Sequence, residues 1–381
     1  MKADLAQVTS HFRFRGALVD IEPIRSGHIN DSYAVVFRSP GEAPHRYLLQ
    51  RINHHVFRSP ERLMQNIEGI TEHVRSKVLA AGGDPNREAL TLVRTLDGGV
   101  LHRAPNGGYW RAALFVEGAQ TYDRAHNLGQ VYSAAQAFGR FQKMVSGYPA
   151  ETLHETIPDF HHTPKRLEAL LEAVQRDALN RAQSVQAEMR FVEERAADTA
   201  VLVEALEAGV VPQRVTHNDT KFNNVLIDDA TGEGICVIDL DTVMPGLSVY
   251  DFGDAVRSGA NSAAEDEPDL SRVGFDLQVF AHLAAGYLDV AGGFLTATEI
   301  DYLPLSARLM TLECGMRFLT DYLEGDRYFR IQRPDQNLDR CRTQFKMVRE
   351  MEEKLATMKS LVAQAARSAS AEPAPDGPAR R

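Results

Sequence analysis

The hydrophobic periodicity of this chain changes at about Gly118, and that change restricts the available folds more than any other feature. Before Gly118, short runs alternate in the manner of β-strands, and turn-forming segments such as RSPGEAPH and LDGG separate them. After Gly118, apolar residues recur at spacings of three or four, which predicts helices. The strand-like runs predict an antiparallel sheet with strands at 18–24, 32–38, 46–52, 91–95 and 109–117.

One helix is predicted inside the strand-rich part of the chain. Ser59 and Pro60 suit the N-cap and the first turn of this helix. Apolar residues then follow at helical spacing, at Leu63, Ile67, Ile70, Val74 and Val78. The predicted order is therefore strand, strand, strand, helix, strand, strand.

The chain is long enough for two lobes, since 381 residues exceed the size of one small domain. We expect an N-terminal lobe at 1–118, with an antiparallel sheet and one helix, and a mainly helical lobe at 119–363. Within the second lobe, 213–241 predicts a loop followed by a β-hairpin. Residues 364–381 are rich in Ala, Pro and Ser, which predicts a disordered tail. The predicted fold class is α+β.

Charge and cysteine content disfavour several kinds of partner. Lys and Arg total 42 against 52 Asp and Glu, and a net charge of −10 argues against broad contact with nucleic acid or an anionic membrane. The three cysteines lie far apart without CxxC spacing, which favours a reducing cytoplasm over disulfides or a zinc cluster. The N-terminal segment lacks the apolar stretch of a signal peptide, and His282 and Asp289 interrupt the most apolar later segment. We expect neither export nor a membrane span, and the sequence indicates no oligomeric state.

Polar residues are densest around the predicted hairpin. Asp219, Asn224 and Asp239 place three oxygen-bearing side chains at one mouth, and such hard oxygen ligands suit Mg²⁺ together with phosphates and water. The alternative is that each Asn and Asp only forms a turn, which is the common role of any one of them. The density of the whole set favours a functional site. It comprises His217, Asn218, Asp219, Lys221, Asn223, Asn224, Asp239 and Asp241.

Several segments resemble a known superfamily of kinases. HNDTKFNNVLID, VIDLD and YDFGD resemble the signature of aminoglycoside phosphotransferases and choline kinases, in which H-x-D-x-x-x-x-N precedes a strand ending in I-D. Together with SGHINDSY, LLQRIN, RAALFVEGA and IPDFHHTP, they resemble the N-acetylhexosamine 1-kinase group of that superfamily, over 18–330. The resemblance implies a protein-kinase-like two-lobed fold. It also implies an ATP-dependent enzyme that phosphorylates the anomeric hydroxyl of an N-acetylhexosamine.

The resemblance implies a role for each residue of the polar set. Asp219 is expected to be the catalytic base, which accepts or orients the proton of the acceptor hydroxyl, while Asn224 and Asp239 hold Mg²⁺ against the ATP phosphates. Physical chemistry agrees with this, because phosphoryl transfer mainly needs alignment and charge neutralisation. Lys221 either neutralises phosphate charge during transfer or is an ordinary surface lysine. Asp241 is a secondary candidate for the metal.

Supporting roles are implied for other residues near the hairpin. His217 is expected to tie the loop to the core rather than touch substrate. Asp251 and Asp254, in YDFGD, are expected to brace the loop or cap a helix rather than bind metal.

The loop RSGHINDSY joins the first two predicted strands, where kinases place a loop that covers phosphates. Only Gly27 in this loop is a glycine, so few bare backbone amides are available. His28 and Asn30 are therefore expected either to contact phosphate or sugar or simply to shape the turn.

The third predicted strand, RYLLQRIN, lacks the lysine that kinases carry there, and Arg51 is the nearest cation. We expect Arg51 to bind the nucleotide. Alternation along the strand puts Gln50 and Arg51 on opposite faces, and the pattern alone does not decide which of them faces the nucleotide. Glu68 or Glu72 is either the carboxylate of a kinase-like ion pair or an ordinary exposed residue.

The segment RAALFVEGA is expected to form the hinge between the lobes. The resemblance implies that the backbone near Phe115, Val116 and Glu117 meets the adenine ring. ATP is expected rather than GTP on the resemblance alone.

For the sugar, the resemblance indicates Arg317 and His161 beside Asp219. Arg317 either pairs with Asp321, four residues further on the same helix, or turns into the cleft toward sugar oxygens.

Two other functions remain open. The first is a kinase for another small alcohol, such as an aminoglycoside, choline or a cell-wall sugar; the neutral and basic residues expected at the acceptor side argue against cationic acceptors. The second is a catalytically silent nucleotide- or sugar-binding protein. The intact set of Asp219, Asn224 and Asp239 argues against this second function.

Overall fold

The computed structural model describes residues 2–24 and 29–370. Its N-terminal lobe contains the helices α1 (Lys2–Thr9), α2 (Pro60–Ala80) and α3 (Pro85–Glu88). The strands of this lobe are β1 (Ala17–Ile24), β2 (Asp31–Arg38), β3 (His45–Ile52), β4 (His102–Arg103) and β5 (Tyr109–Leu114). They form one antiparallel sheet in the order β1-β2-β3-β5-β4.

The two faces of this sheet have different surroundings. In the register between β3 and β5, Leu49 lies opposite Ala112 and Gln50 lies opposite Arg111. Leu49 and Ala112 are buried in a small apolar core with Leu5 of α1. Because successive side chains of a strand point to opposite faces, Gln50 and Arg111 share the other face, which turns toward the second lobe.

Helix α2 confirms the one helix predicted in this lobe. Ser59 occupies the N-cap position as predicted, although its side chain makes no capping hydrogen bond. The apolar positions that predicted the helix are buried and belong to the main core: Leu63, Ile67, Ile70, Val74 and Val78. Burial of these side chains explains why the helical spacing is so regular.

The N-terminal lobe also differs from the sequence prediction. The strand predicted at 91–95 is reduced to two isolated bridges, one between Leu92 and Ala113 and one between Thr95 and Phe12. The chain does not continue as a strand beyond Thr95, because the amide of Thr95 donates to the backbone oxygen of Gly99 at 2.8 Å, which turns the chain back. The edge strand of the sheet is β4 instead, and α1 was not predicted.

The second lobe is mainly helical. Its helices are α4 (Leu128–Val145), α5 (Thr163–Arg176), α6 (Gln186–Glu193), α7 (Val201–Glu207), α8 (Ser248–Gly259), α9 (Leu277–Ala291), α10 (Ala297–Glu324), α11 (Gln336–Glu353) and α12 (Leu355–Ser370). Its strands are β6 (Ala119–Gln120), β7 (Arg214–Thr216), β8 (Val225–Asp228), β9 (Gly234–Val237) and β10 (Met244–Gly246).

Helices α4, α8, α9 and α10 form the centre of this lobe. Phe252 of α8, Phe280 of α9 and Ala307 of α10 are fully buried in the same core. Helix α9 packs closely on α4 at Gly286. A Cβ atom at this position would lie 2.2 Å from the backbone oxygen of Tyr132, so only glycine fits there. This core is the physical reason for the long helical periodicity after Gly118.

The predicted hairpin is confirmed by the antiparallel pairing of β8 with β9, and β6 adds a third strand to it. The N-terminal sheet ends at Leu114 and β6 begins at Ala119, so 115–118 link the two lobes. Strand β7 pairs with β10. These pairings bring the loop after β7 and the loop after β9 to one edge of the second lobe, facing the N-terminal sheet.

The prediction of a disordered tail from residue 364 is wrong for 364–370, because α12 continues to Ser370. Alanine favours helix, and Ala365 and Ala366 pack against the main core beside the buried Val362. Residues 371–381 lie outside the described part of the chain. Among the residues that the structure describes, no helix has the length and apolar character needed to cross a membrane.

Candidate active site

Two loops form the centre of the site. The first, called the 217–224 loop, follows β7 and ends in a 3-10 turn at Phe222–Asn224. The second, called the 238–243 loop, follows β9 and contains a 3-10 turn at Leu240–Thr242. The backbone amide of Ile238 donates to the backbone oxygen of Asn224 at 2.9 Å, so the two loops are joined directly.

Asp219 lies at the surface of the cleft, with about a quarter of its side chain exposed (25%). The Nζ atom of Lys221 lies 3.0 Å from its Oδ2, and the amide nitrogen of Asn224 donates to the same oxygen at 3.2 Å. Burial raises the pKa of Asp219, but the charge and hydrogen bond of Lys221, together with the charges of His217 and Arg257, outweigh burial, so the pKa lies below its ordinary value. Asp219 is therefore ionised at neutral pH and can accept a hydrogen bond from a hydroxyl.

Lys221 does not have the surroundings of an ordinary surface lysine. Attraction to the charge of Asp219 raises the pKa of Lys221 well above its ordinary value, against the opposing effect of burial, and the charge of Asp239 adds to the increase. The ammonium therefore stays charged beside Asp219.

Asn224 and Asp239 present oxygen atoms on either side of the loop junction. The amide nitrogen of Asn224 donates to the backbone oxygen of Asp219 at 2.7 Å, which leaves its amide oxygen for a cation. Asp239 has a backbone φ of 61°, in the left-handed region where side chains are strained and which is often found at functional sites.

The electrostatics of Asp239 fit a cation. The residue is exposed to solvent, yet nearby protein still partly desolvates its carboxylate. This partial desolvation, and after it the charges of Asp241 and Asp219, raise the pKa of Asp239 to about 6. A divalent cation would relieve the repulsion between these carboxylates. The described residues contain no cluster of three or more His, Cys, Asp or Glu ligands, but Mg²⁺ bound with phosphates needs only one or two protein ligands.

The 217–224 loop is tied to the helical core at its start. The carboxylate of Asp251, in α8, accepts hydrogen bonds from the backbone amides of His217 at 2.9 Å and Asn218 at 2.7 Å. Nε2 of His217 donates to the backbone oxygen of Ile238 at 2.9 Å, while its Nδ1 accepts from the amide of Asp219. These contacts confirm that His217 ties the loop to the core and that Asp251 braces it.

Asp241, the secondary metal candidate, is occupied by protein partners. Both of its carboxylate oxygens bind the guanidinium of Arg111, with Nη2 at 3.0 Å from Oδ2. The amide nitrogen of Asn30 also donates to Oδ2, at 2.5 Å. Asp241 therefore joins the two lobes instead of facing the cleft as a free ligand.

The sheet register decides between Gln50 and Arg51. Gln50 shares the cleft face with Arg111 and accepts a hydrogen bond from its Nε at 3.0 Å. Arg51 lies on the opposite face, 43% exposed, with its Nη1 at 4.0 Å from a carboxylate oxygen of Asp31. The expectation that Arg51 faces the nucleotide is therefore wrong, because alternation along β3 turns it away from the cleft.

The kinase-like ion pair between β3 and α2 is also replaced. Glu68 and Glu72 both bind Arg94, with its Nη2 at 2.6 Å from Glu72. Arg94 follows the bridge at Leu92, so these carboxylates support the edge of the lobe rather than a cation on β3.

The remaining nucleotide-side candidates are placed as follows. His28 lies outside the described residues. Asn30 shapes the loop end, because its side-chain oxygen accepts from the backbone amide of Asn53 at 2.9 Å. In the hinge, the carboxylate of Glu117 binds Arg46, whose guanidinium lies 4.1 Å from the ring centre of Phe115. These hinge side chains are held by protein, and Val116 is buried. The hinge backbone is also partly used, because the amide of Phe115 donates to the backbone oxygen of Arg46 at 3.3 Å and the backbone oxygen of Glu117 accepts from Arg87 at 2.5 Å.

His161 has no free ring nitrogen for a substrate. Its Nδ1 lies 2.7 Å from a carboxylate oxygen of the buried Glu313, in α10. Its Nε2 lies 3.2 Å from the backbone oxygen of Asn218, to which it donates. The expectation that His161 binds the sugar is therefore wrong, since both nitrogens are used to connect α10 to the 217–224 loop.

Arg317 does not pair with Asp321, which was the alternative open in the sequence. Asp321 instead accepts hydrogen bonds from three backbone amides at 327–329. The guanidinium of Arg317 lies against three aromatic rings: 4.9 Å from the ring centre of Phe160, 5.9 Å from Tyr328 and 5.6 Å from Phe329. The ring of Phe160 contacts that of His161, which places this cluster beside the 217–224 loop.

Sequence reasoning missed two charged residues of the site. Arg111 and Glu313 are buried and bind groups more than a hundred positions away in the chain. The sequence does indicate that Arg111 is paired, because it lies within the apolar strand YWRAAL and a charged residue is rarely buried without a partner. No pattern in the sequence identifies that partner.

The antiparallel N-terminal sheet, the short hinge, the helical second lobe and the two polar loops at their junction define a two-lobed kinase-like fold. Residues 20–288 match the phosphotransferase enzyme family known as APH, and the chain belongs to this family. This confirms the resemblance at the level of the superfamily of aminoglycoside phosphotransferases and choline kinases.

Solved structures show the same fold at low sequence identity. The choline kinase from Cryptosporidium parvum Iowa II is 12% identical, with a TM-score of 0.61 over 96% of this chain and 99% of that chain. An aminoglycoside phosphotransferase from Alicyclobacillus acidocaldarius is 14% identical, with a TM-score of 0.58 over 93% and 95%. A microcompartment-associated aminopropanol kinase is 16% identical, with a TM-score of 0.56 over 94% and 99%.

Proposed function

We propose that this phosphotransferase is a sugar 1-kinase, which transfers the γ-phosphoryl group of ATP to the anomeric hydroxyl of an N-acetylhexosamine such as N-acetylglucosamine or N-acetylgalactosamine. The observation that carries the phosphotransfer is the convergence of Asp219, Asn224 and Asp239 where two loops meet, joined by the Ile238 to Asn224 hydrogen bond. The reducing cytoplasm is the proposed location, in keeping with three unpaired cysteines.

Asp219 is proposed as the catalytic base. Its ionised carboxylate accepts a hydrogen bond from the anomeric hydroxyl and aligns that oxygen with the γ-phosphorus. The new bond joins the anomeric oxygen to phosphorus, the bond from phosphorus to the bridging β-phosphate oxygen breaks, and the hydroxyl proton passes to Asp219. An anomeric hydroxyl is more acidic than an ordinary alcohol, which suits a base whose pKa lies below its usual value.

Charge neutralisation is proposed for the neighbours of Asp219. Asn224 and Asp239 would hold Mg²⁺, which when bound supplies positive charge to the phosphate oxygens. The charged ammonium of Lys221 lies beside Asp219, where it would stabilise the negative charge that develops on the phosphate oxygens during transfer. In the hinge, the backbone of 115–117 would meet the adenine ring, and Asn30 would border the phosphates.

The surroundings of Arg317 favour a neutral sugar over a cationic acceptor. Its guanidinium has aromatic rings around it, whose faces can pack on the apolar side of a sugar ring while the guanidinium donates to sugar oxygens. Nearby acids are already paired, since Glu313 binds His161 and Asp254 binds Arg257. Choline and aminoglycosides carry positive charge and would meet like charge here.

The test is ATP consumption with Mg²⁺ against a panel of acceptors. The panel holds N-acetylglucosamine, N-acetylgalactosamine, their 1-deoxy analogues, the unacetylated hexosamines, choline and an aminoglycoside. We expect turnover with an N-acetylhexosamine and none with its 1-deoxy analogue, which lacks only the proposed nucleophile.

Each other outcome has a distinct meaning. Turnover of a 1-deoxy analogue would show that another hydroxyl is phosphorylated, and it would overturn the sugar 1-kinase proposal. Turnover of choline or the aminoglycoside alone would replace the acceptor while leaving the phosphotransferase unchanged. ATP binding without turnover of any acceptor would favour the silent binding protein.

A further inference from the structure

A buried ion pair joins the two lobes behind the proposed metal-binding residues. Arg111 lies on β5 of the N-terminal sheet, and Asp241 lies in the 238–243 loop of the second lobe. Their side chains are only 6% and 4% exposed, and the guanidinium binds both carboxylate oxygens. Gln50 accepts from the Nε of Arg111 at 3.0 Å, and Asn30 donates to Asp241 at 2.5 Å, so four side chains complete the contact.

Stability alone explains such a pair poorly. Removing two charges from water is costly, and replacing a buried ion pair with apolar side chains of similar volume is often neutral or even stabilising. A bidentate pair does fix the relative position of its two groups, because the planar guanidinium matches the carboxylate in only a few orientations. The pair is therefore better explained by its effect on geometry: it fixes the position of the 238–243 loop relative to the N-terminal sheet.

The position of Asp241 shows which group that geometry affects. Asp241 follows Asp239 by two residues, in the turn Leu240–Thr242. On the other side of the turn, the hydroxyl of Thr242 donates to the backbone oxygen of His217 at 2.6 Å, and the side chain of Asn218 donates to the backbone oxygen of Thr242 at 2.8 Å. The loop is thus anchored to the helical lobe through Thr242 and to the sheet through Asp241.

Asp239 precedes both anchors and has the strained φ of 61°. Such a conformation persists only where the surrounding structure holds it. Side chains of the N-terminal lobe reach the 238–243 loop at two points: Arg111 and Asn30 bind Asp241, and Asn66 of α2 donates to the backbone oxygen of Val243 at 3.1 Å. Of these side chains, Arg111 carries a charge and binds both carboxylate oxygens of Asp241.

We propose that the Arg111–Asp241 pair is an interlobe clamp, in which Arg111 is a positioning residue that orients Asp239 toward the cation of the bound nucleotide. This inference rests on the proposed function. It also explains why β3 can lack the lysine that kinases carry there. The cation that connects the N-terminal sheet to the site is Arg111, on β5. The candidates for the usual pair, Arg51 and Glu68, are turned away or bound to Arg94.

Two variants and a matched control test the clamp. Arg111→Lys keeps the charge but cannot bind two carboxylate oxygens and Gln50 together. Asp241→Asn keeps the shape and removes the charge. Arg94→Lys is the control, because Arg94 is an arginine of the same lobe that binds two carboxylates at its surface, away from the cleft.

The measurement is calorimetric titration with ADP, with and without Mg²⁺. In the wild type, Mg²⁺ is expected to strengthen ADP binding. In Arg111→Lys and in Asp241→Asn, this Mg²⁺-dependent gain is expected to fall about 10-fold, as is usual when the support of a metal ligand is removed, while ADP binding without Mg²⁺ is unchanged. The double variant should fall no further than either single variant, because both break one clamp. Arg94→Lys should keep the full gain.

Several results would overturn the clamp. An unchanged gain in both variants would do so, and so would additive losses in the double variant. A loss in Asp241→Asn alone would mean that Asp241 itself binds the cation. If Arg111→Lys does not fold, Gln50→Leu removes one support of the pair, and a smaller loss of the same gain is expected; an unchanged gain would count against the clamp.

Failure of the proposed function gives a different pattern. If the chain is a silent binding protein, the wild type shows no Mg²⁺-dependent gain and no ATP turnover with any acceptor. If it phosphorylates a different acceptor, the wild type keeps the gain but does not turn over an N-acetylhexosamine. A wild type that turns over an N-acetylhexosamine, combined with variants that keep the full gain, would reject the clamp alone.

Discussion

The 217–224 loop and the cleft face of the N-terminal sheet both surround the proposed nucleotide, but they relate to the sequence in different ways. In the loop, residues a few positions apart meet in space: Asn224 bonds to Asp219, and Lys221 lies 3.0 Å from it. On the sheet, the key contact joins Arg111 to a residue 130 positions away. A short loop is thus close to predictable from spacing, whereas a sheet face depends on register and on the partner lobe.

The comparison also shows which part of the site is adaptable. The loop retains the full set of residues that its superfamily resemblance implies. The sheet lacks the lysine of β3 and carries a buried pair at Arg111 and Asp241 instead. Phosphoryl transfer needs charge and alignment at fixed points, and different strands can supply the supports for those points.

The largest expected effect concerns the loop. Asp219→Asn keeps the shape of the side chain and removes the proposed base, so kcat is expected to fall about 10²- to 10⁴-fold, the usual range for a general base. ADP binding should be retained. The control is Asp229→Asn, an exposed residue at the hairpin turn. Turnover near the wild-type rate in Asp219→Asn would show that Asp219 is not the base and that the H-x-D-x-x-x-x-N pattern identified the wrong residue.

The second effect concerns the support of the loop. Asp251→Ala leaves the buried amides of His217 and Asn218 and the side chain of Gln142 without their acceptor. We expect the free energy of unfolding to fall by about 3 kcal/mol, since a buried charged acceptor is lost. A urea midpoint equal to that of the wild type would show that the loop is held by its own contacts and not by α8.

A smaller, pH-dependent effect is expected in a region remote from both. Glu350 of α11 accepts hydrogen bonds from Lys346 and Lys354, each at 2.7 Å, and from the backbone amide of Phe275 at 2.9 Å. Desolvation raises the pKa of Glu350, but these donors lower it more, from 4.5 to about 2. Because the folded-state pKa is the lower one, the stabilisation is complete above the unfolded-state pKa and is lost as the pH falls toward 2.

Glu350→Gln is therefore expected to lower the free energy of unfolding at neutral pH by about 1–2 kcal/mol, after allowance for solvent screening. The difference from the wild type should shrink once the pH falls below the ordinary pKa of glutamate. Urea unfolding across a pH series measures it, and Glu353→Gln, an exposed glutamate of the same helix, is the control. A difference that grows on acidification would contradict the assignment.

The smallest expected effect tests the sheet directly. Arg51→Met should change the KM for ATP by less than about twofold, as is typical of surface substitutions, because Arg51 lies on the face away from the cleft. Steady-state kinetics at saturating acceptor measures this. A rise of about tenfold or more in the KM for ATP, the size expected for a lost ionic contact, would show that Arg51 binds the nucleotide. It would contradict the assignment of Arg51 to the face away from the cleft.

The sequence predicted most of the fold because periodicity reports burial. The helix at Leu63–Val78 and the hairpin at 225–237 were predicted correctly, since each buries a regular set of side chains. The prediction failed in two parts of the N-terminal lobe. Helix α1 has no strong apolar periodicity, and the strand predicted at 91–95 stops because the chain turns back at Thr95.

The site was predictable only where the contacts are local. Asp251 and His217 were assigned correctly as supports of the loop. His161 was assigned to the sugar, yet its two nitrogens bind Glu313 and the backbone of Asn218. A histidine in a motif gives no indication of which distant acceptors will fold against it. The same holds for Arg111, whose partner is set by the packing of the two lobes.

We propose above that this chain phosphorylates the anomeric hydroxyl of an N-acetylhexosamine with Asp219 as the base. The most direct test of this proposal is phosphorus–proton NMR of the product formed from ATP, Mg²⁺ and N-acetylglucosamine or N-acetylgalactosamine. We expect a phosphorus signal coupled to the anomeric proton with the wild type, and no such signal over the same period with Asp219→Asn. A phosphorus signal coupled to any other sugar proton, or an equal signal from the variant, would contradict it.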